Sequence, residues 1–241
     1  MTTSTAASPL PFAAVMWDFD GTLLDSEPIW IGIELAMVTE MGGDAGQYDV
    51  ASQVGSSLLD TGAYMIELAY STGGKVTGLT PQTVVGDLVA RVSAEIRARR
   101  LEWRPGAKEL LLALHEAGVP QALVSASYRD VLAAAAEQLP GHVFDTIVAG
   151  DDVRLGKPHP EPYLTGAARL GVAATDCVVI EDSVTGAAAG NAAGAIVIAV
   201  PNEVRPPAAA RRIEVESLAG VGIAELSDLV RRAAAGSVAQ A

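Results

Sequence analysis

Apolar residues fall along this chain in two regimes. Residues 13–17 form an unbroken apolar run that ends in two carboxylates flanking an aromatic, Asp18-Phe19-Asp20, followed by Gly21. A short continuous apolar run of this kind is the pattern of a strand buried on both faces of a parallel sheet. From residue 26 to about 103 the spacing becomes helical and no strand pattern is visible. Helices are predicted over 28–41, stopped by Gly42-Gly43, and over 58–70, ending near Gly73-Gly74. A long third helix opens at Thr80-Pro81, an N-cap followed by proline at the first helical position, and runs to about residue 100. Beyond Pro105, helices over 107–117, 128–139, 161–170 and 184–193 alternate with strands over 121–124, 146–149, 177–180 and 195–200. An amphipathic helix over 223–234 closes the chain.

That alternation predicts an α/β fold, a doubly wound, Rossmann-like parallel sheet with helices on both faces. Residues 1–25 and 104–241 are expected to form this core, and 26–103 an inserted α-helical cap lying over it as a lid. The first ten residues read as a frayed tail.

Composition narrows the function classes. The net charge of −13 argues against nucleic acid or an anionic membrane as a partner. No basic leader precedes an apolar stretch, since the first basic side chain is Lys75, and no apolar run is long enough for a bilayer. The single cysteine, Cys177, cannot form an internal disulfide and fits a reducing cytoplasm. It opens an expected strand and reads as a small core hydrophobe. Only three lysines exist, Lys75, Lys108 and Lys157, so a lysine required by an anion site is quickly nominated.

Four places carry chemistry. Alternation points Asp18 and Asp20 to the same side at the strand's carboxyl edge. Two acids so close repel unless a divalent cation lies between them; the alternative is an Asx-turn that caps backbone amides. Next, Ser125 and the amides around Ala126 follow the strand over 121–124, a cradle for phosphoryl oxygens or else a helix start. Ser127 reads as the N-cap of the following helix. In Gly156-Lys157-Pro158-His159-Pro160 the prolines fix a loop that holds Lys157, a charge-neutralising ammonium or else a solvated surface lysine. Last, the run 178–180 ends in Glu181-Asp182-Ser183, acids for a metal or caps for a helix. Gly186, Gly190 and Gly194 recur along that helix and read as close packing against the sheet.

These four stretches, in this order, resemble the motifs of the haloacid dehalogenase superfamily, most closely its β-phosphoglucomutase-like phosphatase branch. The resemblance implies an Mg²⁺-dependent phosphoric monoester hydrolase working through an aspartyl-phosphate. Asp18 would be the nucleophile and Asp20 the general acid/base. Ser125, the Ala126 amide and Lys157 would bind phosphate. Asp18, Asp20 through its carbonyl, Asp182 and Glu181, directly or through water, would serve the metal. Dehalogenases typically lack the second aspartate of the first motif, so Asp20 disfavours carbon–halogen cleavage. The branch's mutases usually carry a histidine where this chain has Trp30, which favours hydrolysis over mutase activity. Lys75, in a glycine-rich loop, is a poor Schiff-base lysine. A phospho-accepting receiver-like module is the alternative from another class, disfavoured by the long insertion. The expected partner is a small-molecule phosphate ester, with a sugar phosphate or a phosphoglycolate-like metabolite the options the resemblance offers, acted on by a cytoplasmic monomer. Gly55-Ser56-Ser57 falls where related caps present a substrate-contacting loop. His115, His159, Arg97, Arg99 and Arg100 read as solvated loop or helix-end residues.

Overall fold

The computed structural model describes residues 9–53, 56–202 and 204–236. In chain order the elements are β1 (Ala14–Trp17), β2 (Leu24–Asp25), α1 (Glu27–Glu40), α2 (Val50–Gln53), α3 (Leu58–Ser71), α4 (Pro81–Ala98) and β3 (Glu102–Trp103). They continue as α5 (Ala107–Glu116), β4 (Gln121–Val124), α6 (Arg129–Ala136), β5 (Thr146–Val148), α7 (Glu161–Leu170), β6 (Cys177–Glu181), α8 (Val184–Ala192), β7 (Ile196–Ala199), β8 (Arg212–Glu214) and α9 (Ile223–Ala234).

Six strands form one parallel sheet in the order β5-β4-β1-β6-β7-β8. Strand β1 is central, with Met16 paired to Ala122 on one side and Val179 on the other. Its burial on both faces explains the unbroken apolar run. Val15 and Trp17 pack into one core layer with Leu110, Leu114, Leu132 and Leu226, from α5, α6 and α9. Ala14 and Met16 pack into the other with Tyr163, Ala167 and Ala187, from α7 and α8. The chain winds outward from β1 to β4 and β5, then returns to build β6, β7 and β8 on the opposite side. Such a reversal opens a crevice at the carboxyl ends of the central strands, where α/β folds bind ligands.

Between β2 and β3 lie the four helices α1–α4. Thr80 caps α4 as its sequence predicts, accepting from the Thr83 amide, and Pro81 sits in the first turn. Two features differ from the sequence expectation. The insertion is bracketed by a two-residue antiparallel ladder, Leu24–Asp25 against Glu102–Trp103, too short to leave a periodic signal. The sheet also gains an edge strand, β8, whose three residues alternate too briefly to be read. The glycines of α8 do pack closely: a Cβ at Gly190 would lie 2.9 Å from the Val197 side chain. Cys177 is buried, which pushes its thiol up to about 11. Among the described residues no helix is long and apolar enough to cross a membrane.

Candidate active site

Three adjacent strands deliver the site. Asp18 follows β1, Ser125 follows β4, and Glu181 and Asp182 end and follow β6. The loop before α7 brings Lys157 into the same point. Its Nζ donates to Asp18 Oδ1 at 2.7 Å, to Glu181 Oε1 at 2.6 Å and to the Val124 carbonyl at 3.0 Å. The Lys157 side chain is 3% exposed, which excludes the solvated-lysine reading. Lys75 is exposed and Lys108 lies 5.9 Å over the Trp103 ring, neither of them at this point.

Burial and charge work against each other here. Desolvation, opposed by Lys157, raises the Asp18 carboxyl to about 7. Desolvation with the charges of Asp18, Glu181 and Glu27 holds Asp182 well above the carboxylate range. Burial works against the Lys157 ammonium, yet Asp18 and Glu181 keep it charged well above its ordinary value. One oxygen from each of Asp18, Glu181 and Asp182 lies within 4.8 Å of the others. Three buried acids around a single ammonium form an all-oxygen donor set, which is the chemistry of a hard divalent cation site. Gly21 is required here. It has φ +78°, and a Cβ there would lie 2.2 Å from Asp182 Oδ2. Thr22 donates its hydroxyl to Asp182 Oδ1 at 3.1 Å.

Glu181 is held by four donors. Oε1 accepts from Lys157 and from the Tyr163 hydroxyl at 2.9 Å, and Oε2 from the Ser183 amide and hydroxyl. Ser183 still caps α8 by accepting from the Gly186 amide.

The Asp20 side chain turns to a different set of partners. Its Oδ1 accepts from the Ser26 hydroxyl at 2.5 Å and the Trp30 indole at 2.9 Å. Its Oδ2 accepts from Ser127 at 2.6 Å and Ser125 at 3.3 Å. These four donors fix the carboxyl in place at the mouth of the cleft. Ser127 is therefore not a helix cap: Tyr128 occupies that position, and the Ser127 hydroxyl is spent on Asp20. Ser26, Ser127 and Tyr163 are the residues that the motifs did not assign to the site. Trp30, marked in the sequence by its place ten positions after Asp20, is a donor to that carboxylate. Ala126 lines the cleft beside Ser125, as does Ser56; Gly55 lies outside the described residues and Ser57 caps α3. His159 is exposed, accepting from the Glu161 amide.

Residues 12–194 match the family model of the haloacid dehalogenase-like hydrolases. The chain belongs to that family. Hexitol phosphatase B of Escherichia coli is 31% identical over 196 residues, covering 81% of this chain and 86% of that protein. Phosphoglycolate phosphatase of Nitrosospira multiformis is 32% identical over 212 residues, covering 80% and 85%. The crystal structure of CbbY from Rhodobacter sphaeroides in complex with phosphate superposes with a TM-score of 0.78 at 25% identity, over 89% of this chain and 99% of that one. A β-phosphoglucomutase from Clostridium difficile shares the fold, with a TM-score of 0.72 at 20% identity over 92% and 98%. The haloacid dehalogenase-like chain is thus an enzyme of the phosphatase kind, the class to which its named relatives belong.

Proposed function

We propose that the chain is an Mg²⁺-dependent phosphatase that hydrolyses a small phosphorylated metabolite through an aspartyl-phosphate on Asp18. The observation that carries this reading is the buried Asp18–Lys157 pair, 2.7 Å apart, opening onto the same cleft as the hydroxyl-bound Asp20. Asp18 attacks phosphorus in line and forms an acyl phosphate, releasing the alcohol. Asp20 gives the leaving oxygen its proton, then takes one from the water that hydrolyses the acyl phosphate. Lys157 balances the charge of the nucleophile and of the phosphoryl oxygens. Ser125 and the Ala126 amide line the phosphate's other side. Asp18, Asp182 and the Asp20 carbonyl would hold Mg²⁺, which supplies charge neutralisation at the phosphoryl group. Glu181, with both oxygens engaged, serves as the anchor of Lys157. Residues 26–103 act as a cap that shields the cleft, and the acidic chain works as a monomer in the cytoplasm, without nucleic acid or membrane. A sugar phosphate is among the candidate esters.

The test is phosphate release from p-nitrophenyl phosphate by the wild type and Asp18→Asn, with Mg²⁺ and with chelator. The expected result is Mg²⁺-dependent turnover lost in Asp18→Asn, with an acid-stable, hydroxylamine-labile phosphoryl group trapped on the wild type. Turnover that survives the substitution, or that ignores the chelator, overturns the mechanism.

A further inference from the structure

The wall of the cleft includes residues of α1 and the start of α3, and α1 gives it two carboxylates with no catalytic use, Glu27 and Glu34. Glu34 is 7% exposed and lines the cleft. Its Oε2 accepts from the Tyr48 hydroxyl at 2.8 Å, and Tyr48 packs edge-on against Tyr64 at 5.2 Å. The carboxylate is thereby fixed in place. Among the described residues its other oxygen has no hydrogen-bond donor. A carboxylate oxygen on the cleft wall can accept from a donor on a bound substrate.

The charges of the cleft are one-sided. Besides the catalytic acids, Glu27 and Glu34 line it, while the only cation among the described lining residues is Lys157. Lys157 is already committed to Asp18, Glu181 and the Val124 carbonyl. Beside Glu34 the wall offers uncharged partners only: Gln53, Ser56 and Thr61 among the apolar Ile31 and Leu58. A leaving group with its own carboxylate or second phosphate would meet no cation and would face Glu34. A hydroxylated, uncharged one would donate to Glu34 and exchange hydrogen bonds with Gln53 and Thr61.

Resting on the phosphatase reading, we infer that the cleft selects monophosphate esters of uncharged polyhydroxylated alcohols, with Glu34 accepting from a substrate hydroxyl. It rejects esters whose leaving group carries a second anion.

The experiment compares kcat/KM of the wild type for sorbitol 6-phosphate, 2-phosphoglycolate and fructose 1,6-bisphosphate, with p-nitrophenyl phosphate as the reference ester. The polyol ester is expected to exceed each competitor bearing a second anionic group by about 100-fold or more. Comparable rates on all three overturn the inference while leaving the phosphatase reading intact. No turnover of any ester, p-nitrophenyl phosphate included, overturns both. The second arm is Glu34→Gln, whose amide oxygen still accepts from Tyr48. The ratio of polyol ester to phosphoglycolate is expected to fall at least tenfold in this variant. An unchanged ratio in a folded variant removes Glu34 from the specificity mechanism. Should the variant not fold, the wild-type comparison decides alone.

Discussion

Replacing Trp30 with phenylalanine tests how the proposed acid/base is held. The substitution keeps an aromatic ring at a position only 9% exposed and removes the N–H that reaches Asp20 Oδ1 at 2.9 Å. A hydrogen bond to a charged group contributes about 1.5–3 kcal/mol net. Three hydroxyl donors remain on Asp20, so part of that is recovered and about 1–2 kcal/mol is lost. At 1.36 kcal/mol per decade this is roughly a 5- to 30-fold fall in rate. The assay compares kcat/KM for an alkyl phosphate and for p-nitrophenyl phosphate. An alkoxide cannot leave without a proton, whereas nitrophenolate leaves readily unprotonated. The full loss is therefore expected on the alkyl ester and a smaller one on the aryl ester. Equal losses on both would mean that Trp30 acts by shaping the cleft; no loss on the alkyl ester would mean that its hydrogen bond is idle. Either result refutes the argument.

Metal binding should be linked to pH through Asp18. Its folded-state value, about 7 against an ordinary 3.8, is raised, so protonation stabilises the fold. That contribution is full below about pH 4 and lost as pH climbs through about 7. A cation in the proton's place reverses the trend, so the rise in Tm on adding Mg²⁺ should grow between mildly acidic and mildly alkaline buffer. A constant or shrinking rise would contradict the linkage. Gly186→Ala places a Cβ 1.7 Å from Glu181 Oε1, against a side chain that four donors hold still. Denaturant unfolding should show a loss of about 2–4 kcal/mol. Gly86→Ala in α4, where a Cβ meets nothing within 4 Å, should instead gain up to about 1 kcal/mol. Similar values for the two would show that α8 yields to Glu181.

The sequence is most legible where a signal is local. The helix over 161–170 coincides with α7, and Thr80-Pro81 marks the start of α4, because caps and prolines act within a few residues. The sheet is legible because β1, β4, β6 and β7 are buried on both faces and read as apolar runs. Strand β8, with the polar Arg212 and Glu214 around Ile213, gives no such run. The helix expected over 128–139 ends at Ala136, short of the expected turn. Asp18, Lys157 and Glu181 are brought together as the motifs suggest. The circle of donors around Asp20 is not legible, since Ser26, Trp30, Ser125 and Ser127 come from separate segments. A serine after a strand looks the same in sequence whether it caps a helix or binds a carboxylate. The open oxygen of Glu34 likewise depends on where Tyr48 folds.

The two-residue ladder between Leu24–Asp25 and Glu102–Trp103 bears on the order in which the molecule assembles. Pairing β1 with β4 directly means closing a loop of roughly 100 residues, a slow and entropically costly search. Once the ladder has formed, the helices between its strands no longer count toward that loop, and roughly 25 residues remain to be closed. The (3/2)RT ln n dependence makes this fourfold shortening worth about 1.2 kcal/mol. The insertion therefore works as a splice during folding. When its own ends pair first, the long-range pairing of β1 with β4 becomes a nearly local one.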